Sequence, residues 1–345
     1  MKRRVTLKDV AAQAGVTYQT VSKVINGHAR VLPATEARIR SASHALGYKP
    51  NHSARSLRAQ RSLMIGYSWV PSRPGQFNHI LDTFLSSMVQ EAEAAGYHLL
   101  PFPYKEDSDQ VNAYGELIDA GRVDGFVISS VNYDDPRVAF LQEHQFPFVT
   151  FGRAGPDAPN AFVDVDGAAG LYLATQHLLK LGHTRIAALA WPQASRVGND
   201  RMSGYVRALA EAGLTADPEL IARGHGSFEQ GLAATTRWLA WPAASRPTGL
   251  VALDDTLAIG AMHAAQAHGW TPGRQISVVG FDDSPMAQYL WPPLTSVAQP
   301  IRAAGRKCVE MLVALMRGQA PPQTQVLLEP ELILRQTAGA CLATA

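Results

Sequence analysis

Apolar residues near the N-terminus recur every three or four positions, which is typical of helices that bury one face. This spacing predicts three short helices, at Leu7–Ala14, Tyr18–Asn26 and Ala34–Leu46. Gly15 supplies the turn between the first two, and Pro33 stands where the third helix begins. Together the three apolar faces are sufficient for a small helical core, so the sequence predicts a helix-turn-helix unit.

From Leu63 onward, short apolar runs alternate with amphipathic segments. The predicted strands are Met64–Val70, Tyr97–Phe102, Gly125–Ser129, Phe148–Phe151, Ile186–Ala190, Gly249–Leu253 and Ser277–Phe281. The intervening helices are Ile80–Ala95, Asp109–Ala120, Pro136–His144, Ala168–Leu181, Asp200–Ala212, Phe228–Ala240 and Thr256–His268. This alternation predicts an α/β fold with doubly wound parallel sheets. Because the pattern runs once and then restarts, two similar lobes are expected, with a ligand crevice at their strand ends.

Charge is distributed unevenly along the 345 residues, although the net charge is only +2. Residues 1–61 contain twelve lysines and arginines against two acidic residues, a net charge of about +10, whereas the remaining residues carry 19 basic and 27 acidic groups, about −8. We therefore expect only the N-terminal unit to bind polyanions such as nucleic acid.

Several classes of protein are disfavoured by what the sequence lacks. The two cysteines, Cys308 and Cys341, have no metal-ligand spacing and are too few for a disulfide framework, which fits a reducing compartment. Neither a signal peptide nor a membrane-spanning run is found, so a cytoplasmic protein is expected. No glycine-rich phosphate loop, nucleophile elbow or histidine metal motif is present, and we expect no enzyme, cofactor or metal.

The second predicted helix carries hydrogen-bonding side chains on its outer face, a composition that suits the major groove of DNA. Tyr18, Gln19 and Lys23 are placed to contact base edges or phosphates. Further candidates for DNA contacts are Thr6, Thr17, Thr20, Ser22, Asn26 and Arg30. The alternative is a solvated face on a helical module that binds protein.

Four stretches, residues 5–17, 20–27, 47–51 and 54–57, resemble the LacI/GalR family of bacterial repressors, and the similarity continues over essentially the whole chain. Residues 18–22 are also similar to the recognition helix of one family member, which implies a related operator half-site. Lys23 stands where that member has arginine, and lysine lacks the planar fork that reads guanine.

The resemblance implies that residues 1–49 form the helix-turn-helix domain and residues 50–61 a hinge helix that folds on operator binding. The residues that match the hinge pattern are Pro50, Asn51, Ala54, Arg55 and Leu57. Leu57 would insert into a central base step of the minor groove and unstack it, while Asn51, Ala54 and Arg55 would contact the same groove. A plain flexible linker is the alternative.

For the remaining residues, the resemblance implies a body similar to periplasmic sugar-binding proteins, with the effector between two lobes. The N-subdomain would comprise residues 62–162 and 299–324, and the C-subdomain residues 163–298 and 325–340. The strongest effector-binding candidates are Arg201, Asp255 and Asp282, an arginine with strand-end carboxylates. Further candidates are Asp254, where the family usually has asparagine, and Phe228, Trp191, Trp69 and Arg153. For Arg201, Asp255 and Asp282 the alternative is a structural ion pair or a capping carboxylate. For the three aromatic residues it is a place in the core or on the surface, and for Arg153 it is packing at a crossover.

Together these features predict a repressor that binds a palindromic operator in double-stranded DNA as a homodimer and is released by a small carbohydrate. Dimerisation is expected because one helix-turn-helix reads too few base pairs, and the C-terminal tail has no heptads for a larger assembly. Two alternatives remain open: a corepressor-type regulator whose ligand strengthens DNA binding, and a solute-binding protein that binds no DNA.

Overall fold

The structure, a computed structural model, describes residues 5–25, 31–48, 61–69, 78–103, 111–155 and 159–341. The chain divides into two compact units, Met1–Ser62 and Leu63–Ala345. Each unit has a hydrophobic core of its own.

The described part of the first unit contains three helices: α1 (Leu7–Ala14), α2 (Tyr18–Ile25) and α3 (Pro33–Ala45). They match the three helices predicted from the apolar spacing. At the centre of their core lie three fully buried side chains, one from each helix: Val10, Val21 and Ile39. The chain turns between α1 and α2 at Gly15, whose φ of 64° is a conformation that glycine adopts without strain.

The first lobe of the second unit alternates strands and helices. Its elements are β1 (Met64–Trp69), α4 (His79–Ala94), β2 (His98–Pro103), α5 (Asn112–Asp119), β3 (Gly125–Ile128), α6 (Pro136–Glu143), β4 (Phe148–Phe151) and β5 (Phe162–Val165). All of these strands are parallel to their neighbours. Every residue of β3 and β5 is buried, because helices cover both faces of a parallel sheet.

The second lobe repeats this pattern. Its elements are α7 (Gly167–Lys180), β6 (Ile186–Ala190), α8 (Arg196–Glu211), β7 (Ile221–Arg223), α9 (Phe228–Leu239), β8 (Gly249–Ala252), α10 (Asp255–Ala267), β9 (Ser277–Asp282) and β10 (Thr295–Ala298). Short 3₁₀ turns occur at Pro218–Leu220 and Ala243–Ser245. The C-terminal part adds α11 (Ile301–Met316), β11 (Gln325–Leu328) and β12 (Glu331–Ile333).

Strand order is equivalent in the two lobes. The first sheet has the order β11-β5-β4-β3-β1-β2, and the second has the order β12-β10-β9-β8-β6-β7. The last strand differs, since β11 runs parallel to β5 whereas β12 runs antiparallel to β10. This equivalence confirms the two similar lobes that the repeated pattern predicted.

The chain crosses between the lobes three times, and strand pairing corrects two of the predicted boundaries. Residues 163–298 and 325–340 were assigned to the second lobe from the sequence. However, β5 and β11 pair with each other in the first sheet, so the crossings lie after Val165 and after Leu328. The third crossing lies between β10 and α11, because α11 packs against α4 of the first lobe.

Candidate functional site

An arginine lies buried against two aromatic rings in the second lobe. The guanidinium carbon of Arg201, on α8, is 3.8 Å from the ring centroid of Phe281 and 4.8 Å from that of Trp191. Phe281 belongs to β9, and Trp191 directly follows β6, so both rings come from the carboxyl ends of strands in one sheet. These are the ends at which open α/β sheets bind ligands.

Only part of the Arg201 guanidinium is bound within the protein. Its Nη1 donates a hydrogen bond to the carbonyl oxygen of Leu253 and lies 3.6 Å from Oδ1 of Asp282. Among the described residues, neither Nε nor Nη2 has a hydrogen-bond partner, and Nε is buried. Nε and Nη2 form the edge of a guanidinium that binds two acceptor oxygens side by side. This edge is therefore suited to two neighbouring oxygens of a ligand.

Asp282, the last residue of β9, is held in an unusual backbone conformation with φ of 109°. Such conformations are strained for a non-glycine residue and are frequent at ligand sites. Its Oδ1 accepts a hydrogen bond from Nε2 of Gln299, 2.6 Å away. Burial raises the pKa of Asp282 to about 8, whereas the positive charge of Arg201 acts in the opposite direction.

Asp255, the first residue of α10, has a carboxylate that is hydrogen-bonded by the segment that follows β9. Its oxygens accept hydrogen bonds from Oγ of Ser296 and from the backbone N–H of Ser284, both at 2.6 Å. Burial raises its pKa to about 6, and these hydrogen bonds oppose the shift. Asp255 therefore links the N-terminus of α10 to Ser284 and Ser296.

Asp254 also has both carboxylate oxygens bound within the protein. Oδ1 accepts from the backbone N–H of Leu257 at 2.8 Å and so caps α10, and Oδ2 accepts from the indole Nε1 of Trp191 at 2.7 Å. The residue is only 8% exposed. Each oxygen thus has one partner within the protein, and because a carboxylate oxygen accepts two hydrogen bonds, the predicted contact of Asp254 with an effector stays a prediction.

Ion pairs and hydrogen bonds join the two lobes across the crevice. Arg153, which follows β4, donates from Nε to Asp164 of β5 at 2.9 Å and from Nη2 to Asp200 of α8 at 2.8 Å. Nη2 of Arg196 approaches the same Asp164 oxygen at 3.2 Å. The Arg153 guanidinium is thus used to hold the lobes together, which was the alternative to its predicted role in effector binding.

Further contacts cross between the lobes. In the first lobe, Oδ1 of Asn132 accepts a hydrogen bond from the backbone N–H of Arg196 at 3.0 Å. Nε2 of His79, at the start of α4, lies 3.3 Å from the carbonyl oxygen of Asp282. Burial lowers the pKa of His79.

In the first unit, α2 presents polar side chains on one face. Tyr18 is 37% exposed, and Gln19 and Lys23 are also exposed. The backbone N–H of Thr20 donates to Oγ1 of Thr17 at 3.2 Å, so Thr17 caps the beginning of α2. Exposed donors and acceptors at the N-terminal end of such a helix are typical of a surface that reads the major groove.

Comparison with known proteins identifies the family. A model described as bacterial regulatory proteins, lacI family, matches residues 6–51, and a periplasmic binding protein-like domain matches residues 175–338. The HTH-type transcriptional regulator CelR of Thermobifida fusca is 34% identical over 343 residues, which cover 97% of this chain and 99% of that protein. The chain belongs to the lacI family. This confirms the resemblance that the sequence motifs indicated.

Solved structures of LacI-family regulators share the fold. A regulatory protein from Chloroflexus aggregans is 55% identical with a TM-score of 0.78, over 81% of this chain and 99% of that one. The lac repressor dimer bound to operator and the anti-inducer ONPF is 29% identical with a TM-score of 0.85, over 98% and 100%. A CelR–cellobiose complex is 31% identical with a TM-score of 0.73, over 97% and 100%. This LacI-family protein is therefore a helix-turn-helix transcriptional regulator, and its relatives are regulators, not enzymes.

The other residues predicted to contact DNA in this LacI-family regulator are found in three situations. Thr6 precedes α1 and donates from its backbone N–H and Oγ1 to Asp9 Oδ2, at 2.8 and 2.7 Å. Thr20 is half-buried, whereas Ser22 is only 8% exposed, which corrects its assignment to the outer face of the helix. The remaining candidates lie outside the described residues: Asn26, Arg30, Asn51, Ala54, Arg55 and Leu57.

The last two aromatic candidates lie at the predicted element ends. Trp69 ends β1 and packs against the core of the first lobe. Phe228 begins α9, and its ring meets that of His263 edge-on at 5.1 Å between centroids. Trp191 is thus the predicted aromatic residue that the structure brings against Arg201.

Sequence reasoning missed Asp164, Arg196 and Asp200, which link the lobes. The available signal was a carboxylate within the buried apolar run Phe162–Val165, since a buried charge requires a partner. In the described part of the regulator, no cluster of three or more His, Cys, Asp or Glu side chains could hold a metal ion. Among the described helices, none is long and apolar enough to span a membrane.

Proposed function

We propose that this chain is a dimeric repressor that binds a palindromic operator through α2 and is released when a small carbohydrate binds between its two lobes. The observation that carries the effector half of this proposal is the unpartnered Nε–Nη2 edge of Arg201. Adjacent hydroxyls of a sugar present two acceptor oxygens at the spacing that such an edge binds.

The surroundings of Arg201 favour a neutral carbohydrate over an anion. Asp282 lies 3.6 Å from the guanidinium, and the carboxyl group of Asp254, hydrogen-bonded to Trp191, lies near the same group. A ligand anion would oppose the ionisation of both acidic groups, whose pKa values burial already raises, whereas a neutral hydroxyl adds no charge beside them. Aromatic rings provide apolar faces against which a sugar ring can pack. The CelR–cellobiose complex supports the same ligand class.

The DNA-binding half of the proposal rests on the exposed face of α2 and on the charge of about +10 within residues 1–61. Gln19 is the proposed reader of a base edge, Tyr18 and Lys23 contact bases or phosphates, and Thr6, Thr17 and Thr20 contact the backbone. A single unit of this size reads few base pairs, so two copies related by a two-fold axis are required for specificity. The operator-bound lac repressor dimer supports this arrangement.

Coupling requires that the sugar bind one arrangement of the lobes more tightly than another, because a ligand shifts an equilibrium only by its differential affinity. The contacts of Arg153 and Asn132 with α8 are the connections that such a rearrangement would alter. Residues 50–61, the proposed hinge, would order on operator DNA and lose that order when the sugar binds.

The test measures operator binding by fluorescence anisotropy, with a duplex selected from a random library by the purified full-length chain. We expect at least one sugar among cellobiose, maltose, sucrose, glucose and galactose to release the duplex. Tighter binding with sugar would indicate a corepressor-type regulator, and binding unaffected by all five would contradict the proposed ligand class. Sedimentation of the protein should give twice the mass of one chain, and a monomer on the duplex would contradict the dimer.

Arg201→Lys provides the residue-level test, because lysine keeps the charge but lacks the planar fork. We expect the sugar concentration for half-release to rise by about tenfold or more, equivalent to about 1.4 kcal/mol, with unchanged operator binding in the absence of sugar. Arg207→Lys is the matched control, since Arg207 lies on the same helix, is exposed and stacks on Tyr172.

A further inference from the structure

The Trp191 indole is fixed by a hydrogen bond to a carboxylate that also caps a helix. Nε1 donates to Oδ2 of Asp254 at 2.7 Å, while Oδ1 of the same carboxylate caps α10 through the N–H of Leu257 at 2.8 Å. Because Asp254 caps the N-terminus of α10, which packs in the lobe core, its carboxylate is a rigid anchor for the ring. The position of α10 therefore determines the position of the Trp191 ring.

Glycine backbone packs against this hydrogen bond. A Cβ atom at Gly226, where φ is 72°, would lie 2.9 Å from Trp191 Nε1 and 3.0 Å from Asp254 Oδ2. A Cβ atom at Gly198 would lie 3.0 Å from the Cβ of Trp191. The close approach of both backbones leaves little room for the indole to move.

The fixed indole in turn restricts Arg201. Its ring centroid is 4.8 Å from the guanidinium carbon, and Phe281 packs against the same guanidinium at 3.8 Å. Phe281 is fully buried and Nη1 is bound to the carbonyl of Leu253, and Trp191 is the second ring that sets the guanidinium plane. That plane determines where the unpartnered Nε–Nη2 edge points.

We propose that Asp254 is a positioning residue, which holds Trp191 against Arg201 and so aims the free guanidinium edge at the effector. This inference deepens the proposed function and rests on it, because the edge of Arg201 is the proposed effector contact. It makes the orientation of one ring a determinant of the selectivity of the crevice.

Asp254→Asn separates the two tasks of this carboxylate. Asparagine is as good an N-cap as aspartate, so the bond from Leu257 is retained when the amide oxygen takes the Oδ1 position. The amide nitrogen then occupies the Oδ2 position and faces the indole N–H, two donors that cannot pair. The substitution thus removes the anchor of Trp191 while it preserves the helix cap and the side-chain volume.

The first measurement is fluorine NMR of the full-length chain labelled with 5-fluorotryptophan, without any sugar. The six tryptophans give six resonances, and the Trp191 resonance is the one lost in both Trp191→Phe and Trp191→Tyr. We expect Asp254→Asn to shift or broaden this resonance and leave the other five in place. The control is Asp166→Asn, because Asp166 caps α7 through the N–H of Ala169 at 2.8 Å and is likewise a helix-capping carboxylate. A Trp191 resonance identical in parent and Asp254→Asn would overturn the proposal.

The second measurement is sugar-induced release of the operator duplex, with cellobiose, maltose, sucrose, glucose and galactose as probes. Asp254→Asn and Trp191→Phe should each raise the half-release concentration about three- to tenfold, the change that one hydrogen bond produces. The double variant should match either single variant, because both remove the same contact. Effects that multiply in the double variant would contradict a shared path from Asp254 through Trp191.

The two measurements distinguish the proposals. Failure of all five sugars to act on the parent contradicts the proposed effector class, and the fluorine spectra still decide whether Asp254 positions Trp191. A shifted Trp191 resonance combined with unchanged sugar release in Asp254→Asn leaves the proposed function intact and overturns the positioning role in effector binding.

Discussion

Nη2 of Arg153 lies 2.8 Å from Oδ2 of Asp200, and this ion pair joins the first lobe to the second. Asp164 extends the connection, because it accepts from Arg153 at 2.9 Å and lies 3.2 Å from Arg196. The positive charges of two arginines and the negative charges of two carboxylates, contributed by both lobes, therefore compensate one another at the crevice. Their attraction favours the arrangement in which the lobes are in contact.

Removal of the shared carboxylate is expected to destabilise the second unit. Asp164→Asn leaves Arg153 and Arg196 without a common anion, and the Asp164 and Arg196 side chains are only 11% and 8% exposed. Loss of one partner from a buried ion pair leaves an uncompensated charge, so the free energy of unfolding should fall by about 2–4 kcal/mol. Urea denaturation followed by circular dichroism measures this change.

Glu310→Gln is the matched control, because it removes a carboxylate from an exposed pair. Glu310 and Lys307 are 50% and 41% exposed, and their charged atoms are 3.3 Å apart. Exposed pairs contribute little, and we expect a change within about 0.5 kcal/mol. Equal effects of the two substitutions would contradict the role assigned to Asp164.

Asp282 is expected to make stability depend on pH in a defined direction. Its pKa in the folded protein is raised to about 8 by burial, whereas an aspartate in the unfolded chain titrates near its ordinary value of about 3.9. Between these values the folded state binds the extra proton. The free energy of unfolding should therefore fall as pH rises from about 4 to about 8, by at most about 1.4 kcal/mol per pH unit, and level off above that range.

Asp282→Asn isolates this contribution, since the amide does not titrate. Urea denaturation between pH 5 and pH 9 should show the variant gaining stability relative to the parent as pH rises towards 8. Asp119→Asn, on the exposed end of α5, controls for the removal of one negative charge. A constant difference between parent and Asp282→Asn across this range would contradict the raised pKa.

The first unit can be stabilised at the beginning of α3. Leu32 occupies the N-cap position, is 75% exposed and provides no side-chain acceptor for the helix. Leu32→Ser supplies such an acceptor, and we expect about 1 kcal/mol of added stability. Hydrogen exchange of peptides that cover Pro33–Ala45, measured on the full-length chain, should slow accordingly. Leu334→Ser replaces an equally apolar residue that is 60% exposed and should leave this exchange unchanged.

Gln19 and Lys23 are expected to affect operator binding in different ways. Gln19→Ala should weaken binding by about 1–3 kcal/mol and relax the preference at one base pair of each half-site. Lys23→Ala should weaken binding to all sequences. If Lys23 contacts phosphate, the slope of log affinity against log salt concentration should become less steep by about one for each subunit. Anisotropy titrations at several salt concentrations separate the two effects. Gln13→Ala, exposed on α1, is the control for Gln19.

The sequence by itself determined the organisation of this regulator. Apolar spacing of three to four positions specified the helices around Val10, Val21 and Ile39, because an amphipathic helix buries the face that its periodicity defines. The alternation of apolar runs with amphipathic segments specified two parallel α/β lobes, because parallel strands need helical crossovers. Local pattern was sufficient for both, since each depends on residues close together in the chain.

Only the tertiary structure decided which polar groups are bound within the protein and which can bind a ligand. Asp254 and Asp282 both lie at strand ends and look alike in sequence, yet one is bound by an indole and a helix N-terminus and the other faces a guanidinium. Strands β5 and β11, each only four residues long, were missed because they pair with each other from distant parts of the chain. Long-range pairing also brought Asp164 to Arg196, and no local periodicity encodes such contacts. The role of a polar group depends on partners that the fold brings to it from distant parts of the chain. Whether an apolar residue is buried can be predicted from its spacing along the chain.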